Sequence, residues 1–238
     1  MIFFLSFNCN TLKLTAFLTA FAGVVFLNLR KVHLVPLAVM ALLFVFYAYF
    51  AFSIPMLDKM LALGAVVLIG LSFALGPLTR FFPKTFGFYL AWRKAIGLWG
   101  FAFAIVHALI SLHVYYKWDF LAMLAFPSVK QFALLTGAAA IALFAVMARV
   151  SNKDWVARLG YEKWKGVLRI GYFALLLAIV HFYLIEIKDG VFTVRPAGWV
   201  VLLFAVAVIA LRFAVLFKGM PEKQSFEEHV TPPQGLSK

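Results

Sequence analysis

The sequence predicts an all-α bundle of transmembrane helices, and three observations carry that prediction. Its 238 residues are 65% hydrophobic and 13% charged, whereas an ordinary soluble domain has about a quarter of its residues charged. Mean hydropathy is +0.99. Apolar runs of about 18 to 25 residues recur from end to end, each long enough to cover a hydrocarbon layer of roughly 30 Å at 1.5 Å per residue. Lipid offers no partner for open backbone groups, so runs of that length have to be helices.

Seven spans are expected, near 12–29, 34–54, 60–78, 94–116, 128–149, 167–187 and 197–217, and six if the first is discounted. Pro36, Pro55, Gly76 with Pro77, Pro83, Pro127 and Pro196 fall at or near the junctions, where prolines and glycines start or stop helices. The stretch 1–7 is apolar and has no basic start, so the first span reads as an anchor rather than a signal peptide. The chain then divides into N-terminal helices of unassigned role over 1–79, a helical core over 80–190, a last span over 191–218 and a polar tail over 219–238. The tail contains Pro232 and Pro233 and is expected to be flexible; about twenty residues are too few for a flavin- or nucleotide-binding domain.

A net charge of +13 raises the question of nucleic acid, and the distribution of that charge argues against it. Under the seven-span reading, basic residues divide 16 to 6 between the two sides. Arg30, Lys31, Arg80, Lys84, Arg93, Lys94, the segment 149–169, Arg212 and the tail share the crowded side. Lys13, Lys59, Lys117, Lys130, Lys188 and Arg195 share the other. Basic loops stay cytoplasmic, which puts the N-terminus outside and the C-terminus in the cytoplasm. Trp92, Trp155 and Trp164 then mark the inner interface, Trp118 and Trp199 the outer one. Cys9 is the single cysteine, so intramolecular disulfides, thiolate metal clusters and covalently attached c-type haem are excluded.

Two of the five histidines stand out. His33 falls in a cytoplasmic turn, His229 in the tail and His113 near an outer helix end, but His107 and His181 each lie well inside an apolar run. An ionisable group at such depth is costly and by default functional. His107 is 14 residues beyond Arg93 and His181 is 12 beyond Arg169, about 21 and 18 Å at the helical rise. Both reach one layer in the outer half of the membrane, from spans that run in the same direction. Three, seven and ten residues before His107 stand Ala104, Gly100 and Gly97; the same offsets before His181 give Ala178, Ala174 and Gly171. Such stripes leave room for a flat ligand, and they equally permit close helix contact. Together with the paired imidazoles they point to one bis-histidine haem b, with His107 and His181 as iron ligands. Such ligation fills both axial positions and favours electron transfer over chemistry at the metal. The alternative is a pair of neutral histidines hydrogen-bonded between helices. A zinc or copper site would want a third donor, and no buried acid, cysteine or further histidine is expected at that layer.

At these residues the chain resembles the ferric reductase-like transmembrane domain family. The resemblance rests on Arg93, Lys94, Gly97, Leu98, Trp99 and Phe101 leading to His107, on Leu135, Thr136 and Gly137 opening the fifth span, and on Trp164, Arg169, Gly171 and Tyr172 leading to His181. It covers roughly 77–188 and is strongest to the small branch holding the haem-binding membrane subunit of bacterial periplasmic methionine sulfoxide reductase systems. It implies His107 and His181 as haem ligands. Family members often carry another histidine about thirteen residues before the second ligand; here Leu168 occupies that place, and Lys94 stands thirteen before His107. Neither side chain can complete the usual second, inner pair, so one haem is expected near the outer face. The inner half has a quinone or a flavin (FMN) as candidate occupants, beside Gly97, Gly100, Gly171 and Ala174. On the outer side Tyr115, Tyr116, Lys117 and Arg195 are placed to meet haem propionates.

The leading functional expectation is therefore a multi-pass subunit of the bacterial inner membrane, an electron-transfer component rather than a complete enzyme. It takes electrons from quinol or a cytoplasmic flavin reductase and passes them to a periplasmic redox protein, methionine sulfoxide reductase being what the resemblance implies. One rival is a transmembrane ferric or other metal-ion reductase. Another is a non-redox transporter or assembly factor with structural histidines.

Overall fold

The computed structural model describes residues 31–47, 53–188 and 190–217. The expected first span, Cys9, His229 and the tail lie outside the described residues. A 3-10 turn, Lys31–His33, leads into α1, Leu34–Tyr47. Then follow α2 (Ile54–Phe81), the short α3 (Pro83–Phe86), a 3-10 turn Phe88–Trp92 and α4 (Arg93–Val114). The rest comprises α5 (Phe120–Leu124), α6 (Ser128–Val150), α7 (Lys153–Leu159), α8 (Tyr161–Ile185), strands β1 (Ile187–Lys188) and β2 (Val191–Phe192), and α9 (Pro196–Phe217).

Five segments are long and apolar enough to cross a membrane: Ile54–Phe81, Phe88–Val114, Ser128–Val150, Tyr161–Ile185 and Pro196–Phe217. They match the third to seventh expected spans. Of the second, 34–54, the described residues include α1, a 14-residue apolar helix, and 48–52 lie outside the described residues. The one sheet among the described residues is the antiparallel pair β1 and β2, with Ile187 opposite Phe192 and Lys188 opposite Val191. Gly190 turns this hairpin at φ +78°, a left-handed conformation in which glycine has no Cβ penalty.

The third span is longer than the sequence suggested. Ser53 is extended and its hydroxyl accepts the Met56 N–H at 3.3 Å, while Pro55 sits in the first turn. This is a serine N-cap with a proline start, and it begins α2 at Ile54 rather than near 60. At the other end α2 runs through Gly76 and Pro77 to Phe81, so that pair is internal, not a terminus. Pro77 has no N–H to give the carbonyl four residues earlier, which is that of Phe73. The Tyr172 hydroxyl, from α8, donates to the Phe73 carbonyl at 3.1 Å and replaces the missing helical bond. Its ring stacks on that of Phe73 at 4.9 Å, and the Arg212 guanidinium lies 5.5 Å from its centre.

α2 is the central helix: α1, α4, α8 and α9 all pack on it, while α6 packs chiefly on α8. In lipid no hydrophobic drive holds helices together, so close van der Waals fit has to do so. Small residues supply the fit. A Cβ on Gly97 would lie 2.9 Å from Ser72 Oγ, and one on Gly100 would lie 2.7 Å from Ile69 Cγ1 and 2.9 Å from its backbone nitrogen. Three apolar clusters fill the interior among the described residues. One joins Met40, Met56, Met60, Ala197 and Val201; a second joins Ile69, Phe73, Phe144, Ala174 and Leu175; the third is made of Val32, Leu68, Leu75 and Ile96. Large apolar side chains such as Leu135, Phe173 and Leu203 are exposed on the outside, as a lipid-facing surface requires.

Side-chain bonds show that α2 and α4 are antiparallel, with Ser72 donating to the Arg93 carbonyl at 2.8 Å and Asp58 meeting His107 and Ser111 far from there. One end of the bundle thus gathers the starts of α2, α6 and α9 and the finishes of α4 and α8. The opposite end carries Arg80, Arg93, Lys94, Arg149, Arg158, Arg169 and Arg212. There Arg149 and Arg158 both lie 5.7 Å from the Trp155 ring, and Lys165 lies 4.8 Å from the Tyr161 ring, an aromatic and cationic belt suited to a membrane interface.

Candidate functional site

His107 lies seven residues before the end of α4 and His181 four before the end of α8. Both therefore sit at the end of the bundle with few basic residues. Their helices share at most a marginal direct contact: α4 is held by α2, and α8 by α6. The histidines thus project from two separately anchored helix pairs.

Each ring is fixed through Nδ1. His181 Nδ1 lies 2.7 Å from the Ala133 carbonyl of α6. A carbonyl only accepts, so Nδ1 carries the hydrogen. The ring lies flat against α6 because residue 137 is glycine; a Cβ there would stand 2.6 Å from Nδ1, 2.9 Å from Cε1 and 3.1 Å from Cγ. The buried Thr136 hydroxyl also donates to the Ala133 carbonyl, at 2.8 Å. His107 Nδ1 lies 2.8 Å from Asp58 Oδ1, and Ser111 Oγ donates to Asp58 Oδ2 at 2.9 Å. With Asp58 as the carboxylate accepting on both oxygens, His107 Nδ1 donates as well.

The common consequence is a free Nε2. The His181 bond leaves Nε2 with a lone pair, the His107 ring is in the same state when Asp58 accepts its Nδ1–H, and among the described residues neither Nε2 has a hydrogen-bond partner. Metal-bound histidines are typically arranged this way, one nitrogen toward the metal and the other donating to a carboxylate or backbone carbonyl. Imidazole nitrogens presented in this way are donors of a kind that suits iron. The interhelical bonds expected of purely structural histidines are present too, but they use only one nitrogen of each ring.

Asp58 went unnoticed in the sequence, where no buried acid was expected at this layer. It is 3% exposed, one turn inside α2. Starting the third span near 60 left it in a loop beside Lys59; the Ser53 and Pro55 start signal would have moved it into the helix. Lys59 instead faces Glu186 at 3.9 Å, near the end of α8. Just beyond α4, burial first and then the charge of Asp58 raise the Tyr115 and Tyr116 phenols above their ordinary 10.0.

The small-residue stripes divide. Gly97 and Gly100 face α2, as described above. Gly171 faces Met147 and Phe73, each of which would lie 2.4 Å from an added Cβ. Ala174 is fully buried in the second cluster, and Ala178 is packed partly against it. Atoms of neighbouring helices lie close beside Gly97, Gly100 and Gly171, at distances an added Cβ would not tolerate. Ala104 and Ala178, half-buried and one turn below the histidines, stand nearest to them. His33 accepts the Trp99 Nε1–H at 2.9 Å and His113 that of Trp118 at 3.3 Å, which accounts for both as structural.

Residues 60–179 match the family described as "Ferric reductase like transmembrane component". The chain is 32% identical over 124 residues to the protein-methionine-sulfoxide reductase heme-binding subunit MsrQ of Rhodospirillum rubrum, covering 51% of this chain and 58% of that protein. It is 27% identical over 99 residues to the protein of the same name from Caulobacter vibrioides, covering 41% and 46% respectively. The chain spans about half the length of the curated relatives it matches.

Proposed function

Because the chain belongs to the ferric reductase-like transmembrane family, we propose that it is a multi-pass electron-transfer subunit holding one haem b between His107 and His181. The observation that carries the reading is the shared state of the two imidazoles: same end of the bundle, Nδ1 donating to a fixed acceptor, Nε2 free. Haem bound there supplies a one-electron couple with both axial positions filled. The chain's own part is to hold the two rings, through Asp58 on one side and through Ala133 and Gly137 on the other, so that little rearrangement accompanies a change of charge.

The orientation follows the charge. The basic end, with Arg80, Arg93, Arg149, Arg158 and Arg169, faces the cytoplasm, with the N-terminus outside and the C-terminus inside. The histidine end then faces the periplasm, in the inner membrane of a bacterium. The donor is quinol or a flavin reductase on the cytoplasmic side. The acceptor is a soluble reductase at the outer face, and the names of the relatives point to one acting on methionine sulfoxide.

The test is spectroscopic. Purified protein is expected to give a reduced-minus-oxidised difference spectrum of the b type. His107→Ala and His181→Ala should each abolish stable haem binding, while His33→Ala and His113→Ala leave it intact. A normal bis-histidine spectrum in both core variants would refute the assignment.

A further inference from the structure

Asp58 belongs to none of the motifs that lead to the histidines, and its position is expensive. It is a carboxylate in the first turns of the central membrane-spanning helix, with its side chain 5% exposed. Such a group persists in a membrane only with partners and, by default, a purpose. Its partners are specific. One oxygen meets His107 Nδ1 at 2.8 Å and the other takes the Ser111 hydroxyl at 2.9 Å. His181 makes the same kind of bond to an uncharged main-chain carbonyl. The two imidazoles therefore differ in one respect: one leans on an anion, the other on a neutral dipole.

Resting on the haem reading above, we infer that Asp58 is a positioning residue that makes His107 the more strongly electron-donating of two unequal ligands and thereby lowers the reduction potential of the site, with Ser111 moderating the effect. A carboxylate accepting the Nδ1–H draws the proton outward and raises electron density at Nε2, which favours the ferric over the ferrous ion. The Ser111 hydroxyl spreads part of the carboxylate charge and weakens that pull. Removing the charge and removing the moderator should therefore act in opposite directions, whereas general loosening of the site would move both variants alike.

The experiment is a spectroelectrochemical titration of full-length, haem-loaded protein in detergent or nanodiscs, comparing wild type, Asp58→Asn and Ser111→Ala. Asparagine keeps an acceptor oxygen and loses the charge. The expected result is a fall of tenfold or more in ferric-over-ferrous preference, an upward shift of about 59 mV or more for a one-electron couple. Ser111→Ala should shift the potential downward. If Asp58→Asn fails to retain haem, the Ser111→Ala potential decides: a fall supports the inference, and an unchanged or raised value overturns it. An unchanged potential in loaded Asp58→Asn, or an upward shift in both variants, likewise overturns it while leaving haem binding in place. Wild-type protein without a b-type spectrum removes the haem reading, and this inference with it.

Discussion

Gly137→Ala is the smallest substitution that tests whether α6 holds the second imidazole. An added Cβ would stand 2.6 Å from His181 Nδ1 and 2.9 Å from Cε1, whereas ordinary contact begins at 3.4 Å. Glycine at a helix interior cannot yield by bending the backbone cheaply, so the ring has to withdraw from α6 by about 0.8 Å or more. That movement stretches the 2.7 Å bond to the Ala133 carbonyl to roughly 3.5 Å, outside useful hydrogen-bond range. Overpacking of this kind costs about 1–3 kcal/mol, and loss of the partner that orients a metal-bound histidine lowers metal affinity about 10–100-fold. The assay is haem occupancy per folded protein, followed by the b-type difference spectrum during haem titration, with thermal unfolding alongside. Gly166→Ala is the matched control, since a Cβ at that α8 position meets nothing within 4 Å and should be neutral or mildly stabilising. Equal haem affinity in Gly137→Ala, Gly166→Ala and wild type would refute the claim that the ring is seated on residue 137.

The remaining predictions concern the frame around the site. Tyr172→Phe leaves the Phe73 carbonyl without the bond that stands in for the one Pro77 cannot make, and is expected to cost about 1–3 kcal/mol in thermal or denaturant unfolding. Adding Pro77→Ala restores an N–H to that carbonyl, so the double variant should lose less than Tyr172→Phe alone; strictly additive effects would count against the substitution of one bond for the other. Gly171→Val forces side-chain carbons into the space held by Met147 and Phe73, and is expected to destabilise the fold by about 1–3 kcal/mol or more. The fraction of folded protein that binds haem should stay near wild type; selective loss of haem at unchanged stability would instead return Gly171 to the cofactor groove.

What was legible in the sequence was whatever depends on a helix considered by itself. Length and hydropathy gave the fifth and seventh spans to within a residue or so, whereas the third, fourth and sixth begin about six residues earlier than expected. Counting along α4 and α8 put His107 and His181 at one depth, because the rise per residue is fixed whatever surrounds the helix. The family resemblance was legible for the same reason, being carried by short runs around those residues. The spacing also showed that Gly97, Gly100 and Ala104 share a face, but periodicity does not say which neighbour covers that face.

The tertiary structure decided the partners. It turned Gly97 and Gly100 toward α2 and Gly171 toward Met147 and Phe73, which the spacing along one helix does not show. It set Asp58 against a histidine 49 residues away and Ala133 against one 48 away, contacts that exist only when antiparallel helices bring their ends together. Pro77 is the same case in reverse: read alone it ends a helix, yet α2 continues past it, and the Tyr172 hydroxyl, 99 residues beyond Phe73, takes up the carbonyl that Pro77 leaves without a bond. Local rules fix what each helix offers; which polar group it meets in a solvent without water is fixed by the neighbours, since only they can satisfy it.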